Sequence, residues 1–563
     1  MPNVLRPAGA ENKGAMSDRW YQKAVVYCLD IDTFADSNGD GCGDIPGLIG
    51  RLDYLARLGI TCIWLNPIHP SPDRDDGYDV ADFYNVDPRF GTLGDFAELL
   101  HQAGNRGIKV IIDLVVNHTS DKHPWFVSAR SSPDSPYRDW YVWSETAPPD
   151  RKQGMVFPGE QSETWSFDRT AKLWYYHRFY KFQPDLNIRN PAVREEIKKI
   201  CAFWLQLGVA GFRMDAVPFI IEETVPGNPN PAKNFEFLTE LRQHVQWRRS
   251  DAVLLAEANV EPAQLVTYFG DEGGSGNRIH MLFDFMLNAK MVLALAREDP
   301  EPIIDGLRET PKLPPGGQWA TFLRNHDEID LSRLTAEQRQ DVFDRFGPDE
   351  NMQLYGRGIR RRLAPMLGND RRRLELAYAL QFSLRGTPVL RYGEEIGMGD
   401  DLALEGRDAI RTPMQWSGMP NAGFSTADPA DLIRPVVIDD GYGYEKLNVT
   451  LQRHDSKSLL AWFERMIRTL REAPEIGSGA CTHVDVPAPK GLLIHRADDG
   501  TGTMVFLHNL GPDAVTADLS SLAAESELPN DVLSDTEYPD PGKLTELPVS
   551  GYGYRWIRLR RTA

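Results

Sequence analysis

The sequence predicts an α/β protein: a (β/α)8 TIM barrel with an inserted subdomain after its third strand and a small all-β domain at the C-terminus. Three observations lead there. Short β-branched runs alternate with amphipathic helical stretches through most of the chain, as in repeated βα units around a parallel sheet. One long stretch, 118–187, breaks that rhythm with Trp, Tyr, Pro and Ser, as expected of an insertion over the strand ends. After about residue 475 the helices cease and short strands with turn signals follow. A doubly wound sheet is the structural alternative, but no GxGxxG follows a strand and no GxxxxGK[ST] occurs.

Residues 1–17 read as a disordered tail. The barrel is expected over 18–117 and 188–474, with strands in VVYCL (25–29), TCIWLNP (61–67), KVIIDLVVNH (109–118), GFRMDAV (211–217), AVLLAEAN (252–259), WATFLRNHD (319–327) and TPVLRYG (387–393). A helix is expected in DFAELLHQAGNRG (95–107), stopped by GNRG before the next strand. A second irregular insertion, roughly 328–370, contains GRGIRRRL (356–363), whose charge predicts a solvated helical face. LLIHRAD, TMVFLHNL and GYGYRWIRL should build the β-sandwich domain of 475–563.

Of 563 residues, 41% are apolar and 25% charged, and no window approaches the roughly 18–20 apolar residues of a membrane span. The first residues lack the apolar stretch of a secretory signal, so a cytoplasmic location is expected. A formal net charge of −19 opposes binding to phosphate backbones, so nucleic acid is an unsuitable partner and a neutral small molecule a suitable one. The five cysteines are odd in number, widely spaced and set in apolar runs, which suits reduced buried thiols.

Two patterns carry chemistry. In DSNGDGCGD (36–44) the oxygens of Asp36, Asn38, Asp40 and Asp44 recur at the spacing of a hard-cation loop, with Gly41 at the turn, so Ca²⁺ or Mg²⁺ is expected. At the C-terminal strand ends, residues two apart share a face, which pairs Arg213 with Asp215, Glu257 with Asn259, and Asn325 with Asp327. Barrel active sites lie at that end. A lone Asp there is commonly a helix cap or an ion-pair member, but three carboxylates beside Arg213, His118 and His326 cost free energy unless paired or functionally tuned. Two carboxyl groups, one ionised and one protonated, cleave glycosides. Arg213 written beside Asp215 predicts an anionic nucleophile; Glu257, with no cation written next to it, predicts the protonated acid; Asp327 is left to grip hydroxyls.

These residues carry a resemblance. DGYDVADF (76–83), DLVVNH (113–118), GFRMDAV, AEAN (256–259) and RNHDE (324–328) resemble the sequence regions of the α-amylase superfamily (glycoside hydrolase family 13), in the expected order. Within it, RDDGYDVADFYNVDPRFGTLGDF, VVNHTSDKHPWF, FQPDLN, GIRRRLAP and RTPMQW are similar to the trehalose synthase (maltose α-glucosyltransferase) branch, from about Trp20 to Ser425.

The resemblance implies a retaining enzyme on small α-glucosides of the maltose, trehalose or sucrose class. Asp215 would be the nucleophile, Glu257 the acid and base, and Asp327 the partner of the sugar's 2- and 3-hydroxyls. His118 and His326 would bond the same ring, and Asp79, next to Tyr78, would clamp its non-reducing end with Arg411. A second structural Ca²⁺ site is implied at Asn117, Asp185 and Glu222; no organic cofactor is. In that branch an arginine of the insertion gates the pocket against the asparagine two residues after the acid. Asn259 is present here, but Gly154 stands where the arginine is expected. That departure predicts a leakier pocket, favouring hydrolysis or transfer to outside acceptors. YCLDIDTF (27–34) and Arg391 also depart from the branch's pattern. An α-glucosidase or transglucosidase that does not isomerise is the alternative reading, a non-catalytic binding subunit the third; self-association into a homo-oligomer stays open.

Overall fold

The computed structural model describes residues 19–271, 275–478, 480–500, 502–525 and 529–559; the expected tail at 1–17 lies outside them. Eight parallel strands close a barrel in sequential order: β1 (Val26–Leu29), β2 (Cys62–Leu65), β3 (Lys109–Leu114), β4 (Gly211–Met214), β5 (Val253–Ala256), β6 (Met281–Phe283), β7 (Gln318–Phe322) and β8 (Thr387–Arg391). The closing pair, β1 with β8, sets Cys28 opposite Arg391. Seven of these strands match the apolar runs of the sequence. β6, in HMLFDF, is too short to show a period.

Alternation along the strands divides the core. One set of side chains, including Cys62, Trp64, Ile111, Leu255, Met281, Phe283 and Phe322, fills the barrel interior; the other set packs under the surrounding helices. The helix Leu93–Asn105 begins at a capping box made by Thr92 and Asp95, as the Thr-x-x-Asp spacing dictates, and ends where Arg106 and a left-handed Gly107 turn the chain into β3.

The insertion holds a three-stranded antiparallel sheet of Trp143–Ser144, Trp165–Asp168 and Leu173–Tyr176, and lends Phe157 and Phe179 to the cavity above the barrel. Its ends are tied by a bridge between His118 and Asp185. The segment after β7 corrects the expectation of a solvated helical face. The helix Ala336–Phe346 forms, but GRGIRRRL enters a small sheet: Gly358–Ile359 pairs with Ile329–Asp330 and with Gln353–Leu354. Arg360 and Arg362 are buried, the latter on Glu394 at 3.1 Å.

In the C-terminal domain the five-stranded antiparallel sheet contains Ala480–His483, Leu492–Asp498, Thr503–Asn509, Tyr554–Leu559 and Asn530–Ser534, in that spatial order. It docks through a bond from Trp462 Nε1 to the Tyr554 hydroxyl at 2.6 Å. Among the described residues no helix is long and apolar enough to cross a membrane, and the five cysteines are free.

Gly211 opens β4 at φ 148°, with its Cα pressed against the β5 backbone, so that a Cβ there would run into the Val253 carbonyl oxygen. Gly211→Ala should therefore lower the melting temperature by several degrees or more and reduce activity with it, because the shift passes along β4 to Arg213 and Asp215; differential scanning calorimetry beside an activity assay checks this.

Candidate active site

The inward side of the barrel turns polar at its C-terminal end. Two residues beyond Ile111 on β3 comes Asp113; two beyond Gly211 on β4 comes Arg213, and two beyond that Asp215; two beyond Leu255 on β5 comes Glu257. Arg213, only 1% exposed, joins them. Its Nη1 donates to Asp215 Oδ1 at 2.7 Å and lies 3.3 Å from Asp113 Oδ1, while Nη2 donates to Glu257 Oε2 at 2.6 Å. Asp113 is fixed in turn by Trp64 Nε1 at 3.0 Å and the Tyr78 hydroxyl at 2.9 Å. The expectation that Arg213 serves Asp215 alone is thus corrected: the guanidinium forks between both carboxylates, because Glu257 comes from the adjacent strand. Held on the two ends of one guanidinium, the two carboxyl groups are neighbours at the mouth of the barrel, one on each side of the fork.

Both carboxylates open into a cavity of about 420 Å³, which Asp327 also lines. Asp327 sits after β7 and takes the opposite electrostatic setting. Arg407 Nη1 lies 2.9 Å and Arg411 Nη2 3.2 Å from its Oδ1, with His326 Nε2 3.3 Å from Oδ2. Burial acts against its charge, but Arg407 and Arg411 outweigh burial and hold it well below the usual carboxylate range. For the other two, burial wins over Arg213: Asp215 is pushed up to about 6 and Glu257 to about 7. Burial lowers His118 to about 4 and His326 to about 3, so both rings are neutral at pH 7.

Of the other residues expected at the site, Tyr78, His118 and Asn259 line the cavity. His118 is oriented by its Nε2 contact with the Tyr78 carbonyl at 3.0 Å. Arg213, His326 and Arg411 stand directly behind the lining, His326 stacked on Tyr78. Asp79 is a correction. It is fully buried away from the cavity, accepting from Ser71 Oγ at 2.7 Å and Arg74 Nε at 3.1 Å. Asp76 and Gly77, both at positive φ, reverse the chain before it, so Asp75 reaches the cavity and Asp76 is the acid that pairs with Arg411. Burial raises Asp75 to about 7.

The sequence reading missed Asp75, Arg407, Glu328, Asp330 and Arg357, all of which line the cavity. Arg407 had one visible signal, its place four residues before Arg411. Gly154 has a left-handed backbone, and the Arg178 guanidinium, which donates to the Gly154 carbonyl at 2.9 Å, occupies its Cβ position, so a side chain there would be strained and would have to displace Arg178.

For metals, the 36–44 loop closes on itself. Asp36 accepts from the backbone of Asn38, Gly39 and Gly41, and Asp44 bonds Ser37 while capping the helix Ile45–Ile49. Its all-oxygen donor set fits a hard cation by type, though Asp36, Asp40 and Asp44 are held by amides and hydroxyls and are not gathered on one point. The second set does not fit: Asn117 meets Asp185 at 3.2 Å, but Glu222 is paired with the Arg178 guanidinium, a fixed positive charge supplied by the chain. Among the described residues no three His, Cys, Asp or Glu side chains converge at metal distance.

Residues 30–347 and 349–479 match the family described as alpha amylase, catalytic domain. The chain belongs to the alpha-amylase family. Within this family it is 43% identical over 545 residues to the trehalose synthase/amylase TreS of Mycobacterium tuberculosis (strain ATCC 25618 / H37Rv), which covers 96% of this chain and 90% of that protein. To the oligo-1,6-glucosidase of Heyndrickxia coagulans it is 32% identical, across 89% of this chain and 93% of that one. Among solved structures, the trehalose-6-phosphate hydrolase of Bacillus licheniformis superposes with a TM-score of 0.76 at 27% identity, over 96% of this chain and all of that one.

The placement of the two aspartates separates their roles. Asp75→Asn should lower kcat/KM by about tenfold or more by disturbing the cavity wall, whereas Asp79→Asn should cost on the order of 1 kcal/mol of stability and leave KM near the wild-type value; steady-state kinetics and thermal melts of the two variants check this.

Proposed function

We propose that the protein is a retaining enzyme acting on small α-glucosides, trehalose synthase-like, which interconverts maltose and trehalose through a covalent glucosyl intermediate and releases some glucose by hydrolysis. The observation that carries this reading is the buried Arg213 fork holding Asp215 and Glu257 together at the mouth of the barrel, with Asp327 lining the same cavity. The TreS relative, similar over nearly the whole chain, supports the choice of substrate class.

In this reading Glu257, the weaker acid of the pair, protonates the departing glycosidic oxygen while Asp215 attacks C1 from the opposite face. Asp327, kept anionic by Arg407 and Arg411, accepts hydrogen bonds from the ring hydroxyls and favours the positive charge that develops at C1. Glu257, now ionised, takes the proton of the incoming hydroxyl or water. A second reading, an α-glucosidase without isomerase activity, is favoured by Gly154 and by the oligo-1,6-glucosidase relative. The intact acidic trio argues against a binding subunit. We also assign a structural Ca²⁺ or Mg²⁺ to Asp36, Asn38, Asp40 and Asp44, and a reducing, cytoplasmic location suited to five free thiols.

Incubation with maltose, trehalose and sucrose separately, followed by sugar analysis over time, tests the reading: an isomeric disaccharide from maltose is expected, and glucose alone would favour the second reading. Asp215→Asn should cut kcat roughly a thousandfold or more with the fold intact by circular dichroism.

The active dyad carries one proton. Its kcat/KM should therefore be bell-shaped, falling below about pH 6 as Asp215 protonates and above about pH 7 as Glu257 ionises, the two limbs belonging to the pair as a unit. Chelation by EDTA should lower the melting temperature, and added Ca²⁺ should restore it.

A further inference from the structure

Arg357 crosses the mouth of the cavity. It comes from the hairpin of Gln353–Leu354 and Gly358–Ile359, whose turn residues Tyr355 and Gly356 are both left-handed, and reaches the inserted subdomain, where its Nη1 donates to the Val156 carbonyl at 2.8 Å. On the barrel side its Nε lies 3.6 Å from Asp330 Oδ2 and its Nη2 3.8 Å from Glu328 Oε1. Asp330 also accepts from Asn259 Nδ2 at 3.0 Å. A polar chain therefore runs from the loop after β5 (Asn259), through the loop after β7 (Asp330), to the hairpin (Arg357) and on to the insertion (Val156). Beside it, Tyr355 packs on Phe157 with ring centroids 5.1 Å apart. At position 154 the insertion offers no side chain, and the space beside that glycine is taken by Arg178, which is paired with Glu222. The insertion contributes a carbonyl to this link, and the charge arrives from the opposite rim.

We propose that Arg357 is a specificity-determining latch: by tying the inserted subdomain to the loop after β7, it keeps the cleaved sugar in the cavity and bulk water out while the glucosyl intermediate exists. This rests on the glucosyl-transfer reading above. In the second half-reaction the ester bond between C1 and Asp215 breaks and C1 bonds either to a hydroxyl of the retained glucose or to water; Glu257 takes the proton of that oxygen in both cases. The chemistry is the same, and only the acceptor differs. Arg357 does not touch the Asp215–Glu257 pair, so it acts on which acceptor is present. It is a positioning residue. Its links to the carboxylates are long and 22% of its side chain is exposed, so the latch can open to admit substrate.

The test compares wild type, Arg357→Ala, Arg357→Met and Arg357→Lys with maltose as substrate, reading the ratio of glucose released to disaccharide isomer formed. Hydrolysis of p-nitrophenyl α-glucoside reports the first half-reaction separately. The ratio should rise about tenfold in the Ala and Met variants, the latter keeping an unbranched apolar side chain without the charge, and recover in part in the Lys variant, while the aryl glucoside rate changes less than about threefold. An unchanged ratio in both the Ala and Met variants would overturn the proposal, as would an equal loss of both half-reactions. Wild type that makes no isomer from maltose would refute the mutase reading alone. The latch is then read with glucose added as acceptor, from the ratio of transfer product to p-nitrophenol released, and an equal ratio in wild type and Arg357→Met overturns it.

Discussion

One guanidinium sets the geometry of the site. Arg213 has no water to satisfy it, so its charge must be met by protein, and the barrel meets it with Asp113, Asp215 and Glu257 from three neighbouring strands. Removing any partner would strand buried charge, which commonly costs roughly 3–5 kcal/mol. The arrangement makes the carboxylates' separation a property of the arginine fork and of the strand spacing, not of flexible loops, which is the preorganisation that charge stabilisation in a transition state requires. It also leaves the dyad sharing one cation for two carboxylates, so the two groups cannot both ionise freely, and one proton stays near neutral pH.

The opposite wall is built differently. Asp327 has Arg407, Arg411 and neutral His326 around it and stays charged. Two regions of one cavity thus have contrasting proton affinity, with cations scarce beside the dyad and plentiful beside Asp327. Both sides depend on burial: the same low dielectric that raises Asp215 and Glu257 makes the arginines near Asp327 effective.

Much of this was legible in the sequence, for physical reasons. Strands of four or more apolar residues announced themselves, and period two placed Arg213, Asp215 and Glu257 on one interior face. What the sequence concealed was through-space neighbourhood. Arg213 was written next to Asp215 but lies equally close to Glu257, because adjacent parallel strands pair Arg213 with Leu255, two residues before the acid. Asp79 was expected in the pocket and Asp75 was not, because the left-handed turn at Asp76 and Gly77 that brings Asp75 to the cavity does not show in the sequence. GRGIRRRL read as a solvated surface because charge in a sequence does not reveal the carboxylates waiting for it: Arg362 finds Glu394, and Arg361 finds Asp400 at 3.2 Å. β6 was invisible because three residues carry no period.

Two oddities of the sequence explain each other. Asp30, in YCLDIDTF, and Arg391, in VLRYGEE, pair with each other beside the seam where β1 closes on β8, 361 positions apart in the chain and both nearly sealed from solvent. Neither charge is tolerable there without its mate, so the two ends of the barrel sequence are bound into one inheritable unit. A chimera that took its first strand from one relative and its last from another would close the ring on a solitary ion, however similar the parents looked everywhere else.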